Sequence, residues 1–104
     1  MSRTMMRARL NNKSVDEAIS VFEAMMAANG YRHIEYKGEE MWSSGDPVLS
    51  GMRCFTYMFE ENTMVIQGWI KDVLGIESDL NGFAGMLPKK KMKKILESII
   101  MRID

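Results

Sequence analysis

The 104-residue chain is short of the side chains that build cofactor sites: it has one cysteine, Cys54, and one histidine, His33. A single thiol excludes an intramolecular disulfide framework, and one Cys with one His cannot supply the ligand set of a structural zinc site. Proline is limited to Pro47 and Pro88, and no Pro/Ser-rich linker, internal repeat or low-complexity tract divides the chain. No apolar run reaches the roughly 18 residues a membrane span requires. The start, with Arg3, Arg7 and Arg9 around Met5-Met6, lacks a signal-peptide core. These absences give the expectation of one cytoplasmic domain without transmembrane segment, cofactor or metal. A chain of this length buries roughly 65% of its unfolded surface, enough for one hydrophobic core.

An excess of charge of either sign is also missing: 14 Lys and Arg balance 14 Asp and Glu. The balance is a cancellation. Residues 1–13 carry Arg3, Arg7, Arg9 and Lys13 and no acid, residues 14–87 carry a net −8, and residues 88–104 a net +4. Two basic ends flank an acidic middle, so a locally basic surface is compatible with a neutral chain.

Ser14 and Glu17 read as a capping box ahead of Val15, Ala18, Ile19, Phe22, Met25 and Met26, which recur at helical spacing. The pattern predicts a helix over about 15–29, with Gly30 as its left-handed C′ residue. The period then changes to two. Strands are predicted over about 31–36, 40–43, 51–59 and 63–71, with turns at Lys37-Gly38 and Ser44-Gly45-Asp46-Pro47, and Asn62 taking the positive φ of the last hairpin. Residues 4–10 read as an edge strand. Met92, Ile95, Leu96, Ile99, Ile100 and Ile103 form one apolar stripe, which predicts a helix over about 88–103 opened by Pro88. Two amphipathic helices bracketing three to five antiparallel strands imply an α+β two-layer sandwich, both helices packed on one face of the sheet.

Three features bear on function. The long hairpin is apolar on both faces, with Met52, Cys54 and Met58 alternating with Phe55, Tyr57 and Phe59, and Val65 and Trp69 alternating with Met64, Ile66 and Ile70. Only one face is needed for the helices; the other is expected to be covered by the loop over 73–87, to meet water through aromatics with polar tips, or to receive a second copy, a partner or a small apolar ligand. Phe55, Tyr57, Trp69 and Phe83 are the candidate interface or pocket. Lys89, Lys90, Lys91, Lys93 and Lys94 fall in the first two turns of the last helix, where positive charge opposes the helix dipole. Lys89, Lys90, Lys93 and Lys94 are therefore the candidate surface for an anion or acidic partner, next to the alternatives of a solvated face and internal pairing. The 12 methionines are scattered over every element and read as core filling.

Catalysis finds no constellation. Cys54 reads as a small core residue and His33 as a surface strand residue, and the carboxylates lie in turns and at the helix cap. Gly75, Gly82 and Gly85 lack the spacing and the following Lys-Ser/Thr of a phosphate-cradling loop. A neutral domain without interleaved aromatics and basic residues is not expected to bind nucleic acid.

Gly38-Glu39-x-x-Trp42, Gly68-Trp69-Ile70-Lys71 and Leu80-x-Gly82-Phe83-x-Gly85-x-x-Pro88-Lys89-Lys90 together resemble a family of small Firmicutes domains without established activity, over Ser14 to Ile103. The resemblance implies a helix, a strand set, and a Gly-Phe-x-Gly loop leading into a Lys-rich helix. Ser43-Ser44 departs from the basic residues that pattern has after the tryptophan. Some members carry membrane or zinc-ribbon segments, and none is read in this chain. It implies no ligand. The residues themselves point to a non-enzymatic interaction module that self-associates or binds a protein partner, with a small apolar ligand or lipid-binding domain as the alternative.

Overall fold

The computed structural model describes residues 3–46, 51–81 and 86–104. Among these, strands β1 (Thr4–Arg9), β2 (Arg32–Tyr36), β3 (Glu39–Asp46), β4 (Gly51–Glu60), β5 (Thr63–Lys71) and β6 (Glu77–Ser78) and helices α1 (Val15–Ala28) and α2 (Met86–Ile103) follow in the order β1-α1-β2-β3-β4-β5-β6-α2. Every strand pair is antiparallel, and the sheet order is β1-β5-β4-β3-β2. β6 lies on the same edge of β5 as β1, opposite Ile70 and Lys71. This is the α+β two-layer arrangement read from the sequence, with a sixth strand, β6, that is too short to show a period.

The local chemistry explains the boundaries. The Ser14 hydroxyl accepts from the Glu17 amide while the Glu17 carboxylate accepts from the Ser14 amide, and α1 starts one residue later. At its other end the Gly30 amide donates to Ala27 O and the Tyr31 amide to Met26 O, with Gly30 at φ +79°, a Schellman closure. The β4–β5 turn differs from expectation: positive φ falls on Glu61, at 52°, and not on Asn62. Asn62 instead fixes the end of β1, its side-chain amide donating to Leu10 O and its carbonyl accepting from the Leu10 amide. α2 begins at Met86, one half-turn before Pro88. Proline is tolerated there because the first four amides of a helix have no partner within it. The predicted loop residues Gly82, Phe83 and Gly85 lie outside the described residues.

Both helices pack on one face of the sheet. Phe22 and Met26 of α1 and Met92, Leu96 and Ile99 of α2 meet Ala8, Trp42, Phe55, Met64 and Ile66 in the main core. Each such side chain contributes on the order of 2 kcal/mol by leaving water. Gly68 permits close packing in this core: a β-carbon there would stand 3.0 Å from Phe55 Cε1 and 3.1 Å from Leu80 Cδ1. The expected alternation of the β4–β5 hairpin holds, with Phe55, Tyr57 and Phe59 toward the helices and Met52 and Cys54 on the other side.

Candidate functional site

The sheet face away from the helices carries its own small core. Met41, Cys54 and Trp69 are buried there, flanked by Ile34, Tyr36 and Met52. Among the described residues its cover is the arginine just ahead of β1, held in part by Glu77 from the 73–87 segment. The Arg3 guanidinium carbon stands 3.6 Å from the centroid of the Trp69 ring. All five of its N–H groups are used: Nε and Nη2 donate to Glu77, Nη1 and Nη2 to Glu39, and Nη1 to Gln67 Oε1. Glu39 and Glu77 sit on strands separated by β4 and β5, so one guanidinium reaching both requires a sheet curled toward this face. Lys71 Nζ lies 3.5 Å from the Tyr36 ring centroid and completes the rim. The doubly paired Arg3 holds the Glu77 carboxyl below its ordinary range. The Trp69 indole N–H has no hydrogen-bond partner among the described residues.

The candidate interface set is split by this architecture. Phe55 is buried and Tyr57 half-buried against the helices, whereas Trp69 belongs to the opposite face. Phe83 lies outside the described residues. His33 stacks on Trp42, centroids 4.4 Å apart, on the helix side of the sheet. Cys54, across from it through the sheet, is buried and its thiol is pushed up to about 11 by that burial. The two residues are not brought together. Among the described residues no group of three or more His, Cys, Asp or Glu side chains could hold a metal ion.

The lysines of α2 separate into two sets. Lys89 is buried, 6% exposed, its Nζ donating to Asn81 O at 2.7 Å, and Lys93 Nζ donates to Asn81 Oδ1 at 2.7 Å. These two tie the helix to the segment after β6. Lys90, Lys91 and Lys94 are exposed. Lys91 and Lys94 line a groove of about 540 Å³ between α2, the end of α1 and β4, together with Arg53 and Tyr31. Arg53, on the helix-facing side of β4, was not singled out in the sequence. Its alternation with Cys54 was the signal that placed it there.

A further surface feature lies where the sequence suggested a covering loop. In the β5–β6 turn, Val73, Leu74 and Ile76 are 63%, 80% and 58% exposed. The Asp72 carboxylate accepts from the Leu74 and Ile76 amides, the Asp72 amide donates to Ile76 O, and the Gly75 amide donates to Asp72 O. Beside it runs a groove of about 530 Å³ lined by Tyr36, Lys37, Met52 and Lys71. Among the described residues no helix is long and apolar enough to cross a membrane.

No family model, curated protein or solved structure matches the chain.

Proposed function

We propose that the protein is a non-enzymatic interaction module that self-associates through the Asp72–Ile76 turn and the groove beside it. The observation that carries this reading is the turn: four hydrogen bonds fix it in a shape that holds Val73, Leu74 and Ile76 in water. Folding stability gives no reason for such a display, since apolar side chains gain by leaving water. A turn already fixed loses little conformational freedom on docking. The sheet face that sequence reasoning favoured for this role is filled by Trp69, Cys54 and Met41 under Arg3, so the contact surface moves to its rim.

The occupant is a second copy. A two-fold contact must complement itself, and this patch carries Lys37 and Lys71 alongside Asp72. The chain's zero net charge leaves no overall repulsion between copies. The patch is small, so association falls in about the micromolar range or weaker. The alternative reading, an apolar ligand between sheet and helices, loses ground because Phe22, Met26, Phe55 and Met92 fill that space.

Sedimentation velocity across a rising concentration series tests the proposal. Wild type is expected to pass from monomer to dimer, and Leu74→Glu to stay monomeric with an unchanged melting temperature. A wild-type monomer at roughly millimolar concentration, or a dimer indifferent to Leu74→Glu, overturns it.

A further inference from the structure

We infer that the groove between α2, the end of α1 and β4 is a binding site for a phosphomonoester carried on a small apolar or aromatic body. Three cations, Arg53, Lys91 and Lys94, line it, and no carboxylate is among the described residues that do. They come from two elements, a strand and a helix, and converge on one concavity. Lys91, Lys94 and Ser98 recur at steps of three and four on α2, which aligns them on one stripe. Like charges gathered with no carboxylate among the described lining residues repel one another, and packing stability gives no reason for that arrangement. A dianion does account for it.

Between the cations the groove is apolar. Met25 and Ile95 form its walls, and the Tyr31 ring, buried and tilted against Phe55 with centroids 5.2 Å apart, forms a rigid floor. The closing amides of α1 are already spent on its own carbonyls, so the polar partners left for a ligand are side chains: the guanidinium, which also donates to Ser44 Oγ at 3.4 Å, the two ammonium groups, the Ser98 hydroxyl and the Asn29 side-chain amide. A guanidinium beside two ammonium groups matches phosphate oxygens, and the apolar walls match a ring or short chain attached to them. The volume, about 540 Å³, is that of a small-molecule site. The site lies on the helix side of the sheet, away from the Asp72–Ile76 turn, and does not depend on self-association.

The test is a chemical-shift titration of the full chain at low ionic strength with phenyl phosphate, inorganic phosphate and phenol, run beside co-sedimentation with phosphatidic acid vesicles. Phenyl phosphate is expected to shift Tyr31, Arg53, Lys91, Lys94 and Ser98, inorganic phosphate to shift the same residues more weakly, and phenol to leave them in place. The exposed double variant Lys91→Glu/Lys94→Glu is expected to keep the wild-type melting temperature and lose affinity at least tenfold. Arg53→Lys is expected to bind more weakly than wild type. Binding to vesicles with the same dependence on Lys91 and Lys94 would assign the phosphate to a lipid headgroup; binding to phenyl phosphate alone would assign it to a soluble ligand. Failure of both probes to bind, shifts spread outside the groove, or undiminished binding by the double variant overturns the inference.

Discussion

The Arg3 guanidinium carbon stands over Trp69, 3.6 Å from the ring centroid, and this one contact decides what the second apolar face of the sheet is for. With Trp69 fully buried beneath a guanidinium that Glu39, Glu77 and Gln67 hold in place, the face is an interior closed by Arg3.

Arg3→Ala should therefore destabilise the fold by about 2 kcal/mol, between the values for exposed and fully buried ion pairs. The loss has two sources: Trp69 gains water contact, and Glu77, whose side chain is 8% exposed, is left without its partner. For a domain of this size the melting temperature would fall by about 10 °C, and tryptophan emission would move to longer wavelength. Arg3→Lys should recover part of the stability only, because an ammonium cannot serve both carboxylates in fork geometry. A melting temperature unchanged in Arg3→Ala would show that the face is covered by other means.

The same cluster sets an acid limit on stability. Paired with Arg3, Glu77 keeps its charge at lower pH in the folded chain than in the unfolded one, where the ordinary value is 4.5. Between those two values the unfolded chain binds more protons, so stability rises with pH across the window. The contribution is complete above about pH 5 and is lost as pH falls through the folded-state value. Urea unfolding measured from neutral pH downward should show that loss in wild type and a shallower one in Glu77→Gln. The remaining slope belongs in part to Glu17, whose carboxyl the Ser14 cap also holds down. Equal slopes in the two proteins would exclude Glu77 as a source.

Cys54 should behave as a core residue in solution. It is 0% exposed, and its thiol is pushed up to about 11 by burial. An aromatic disulfide reagent at mildly alkaline pH is expected to titrate one thiol per chain at once in urea, and to react on the order of a thousandfold more slowly in the folded protein, where opening limits access. Rapid native labelling would place the thiol at the surface and contradict the second core.

What was legible in the sequence was what short-range chemistry dictates. The Ser14–Glu17 box, the Gly30 closure and the alternation along β4 and β5 each involve residues a few positions apart, and each appears where expected. The cover over Trp69 was not legible, because Arg3 joins Glu39 and Glu77 across 36 and 74 positions and the contact exists only once the sheet curls. The grouping of Phe55 and Tyr57 with Trp69 was correctable from parity: Trp69 stands opposite Cys54, so it shares the face that Phe55 avoids. β6 is two residues long, and no periodicity can announce it.

The lysines of α2 give a last contrast, between neighbours that look alike in sequence. Lys89 is buried with its ammonium on the Asn81 carbonyl at 2.7 Å, whereas Lys90 is in water. Removing the first leaves a carbonyl without its charged donor in a part-buried place, a loss of about 1–3 kcal/mol. Removing the second costs nothing of the kind. A positive charge near a helix start opposes the dipole, so Lys90→Glu should stabilise the protein by about 0.5 kcal/mol at low salt and by less as salt rises. Thermal denaturation of Lys89→Ala, Lys90→Ala and Lys90→Glu should rank Lys89→Ala lowest, Lys90→Ala at wild type or slightly above, and Lys90→Glu highest. If Lys89→Ala melted with wild type, the tie to Asn81 would carry no stability and the lysine run would be one solvated face. The predicted order instead divides it into a structural anchor, Lys89 with Lys93, and a free set, of which Lys91 and Lys94 face the groove beside Arg53.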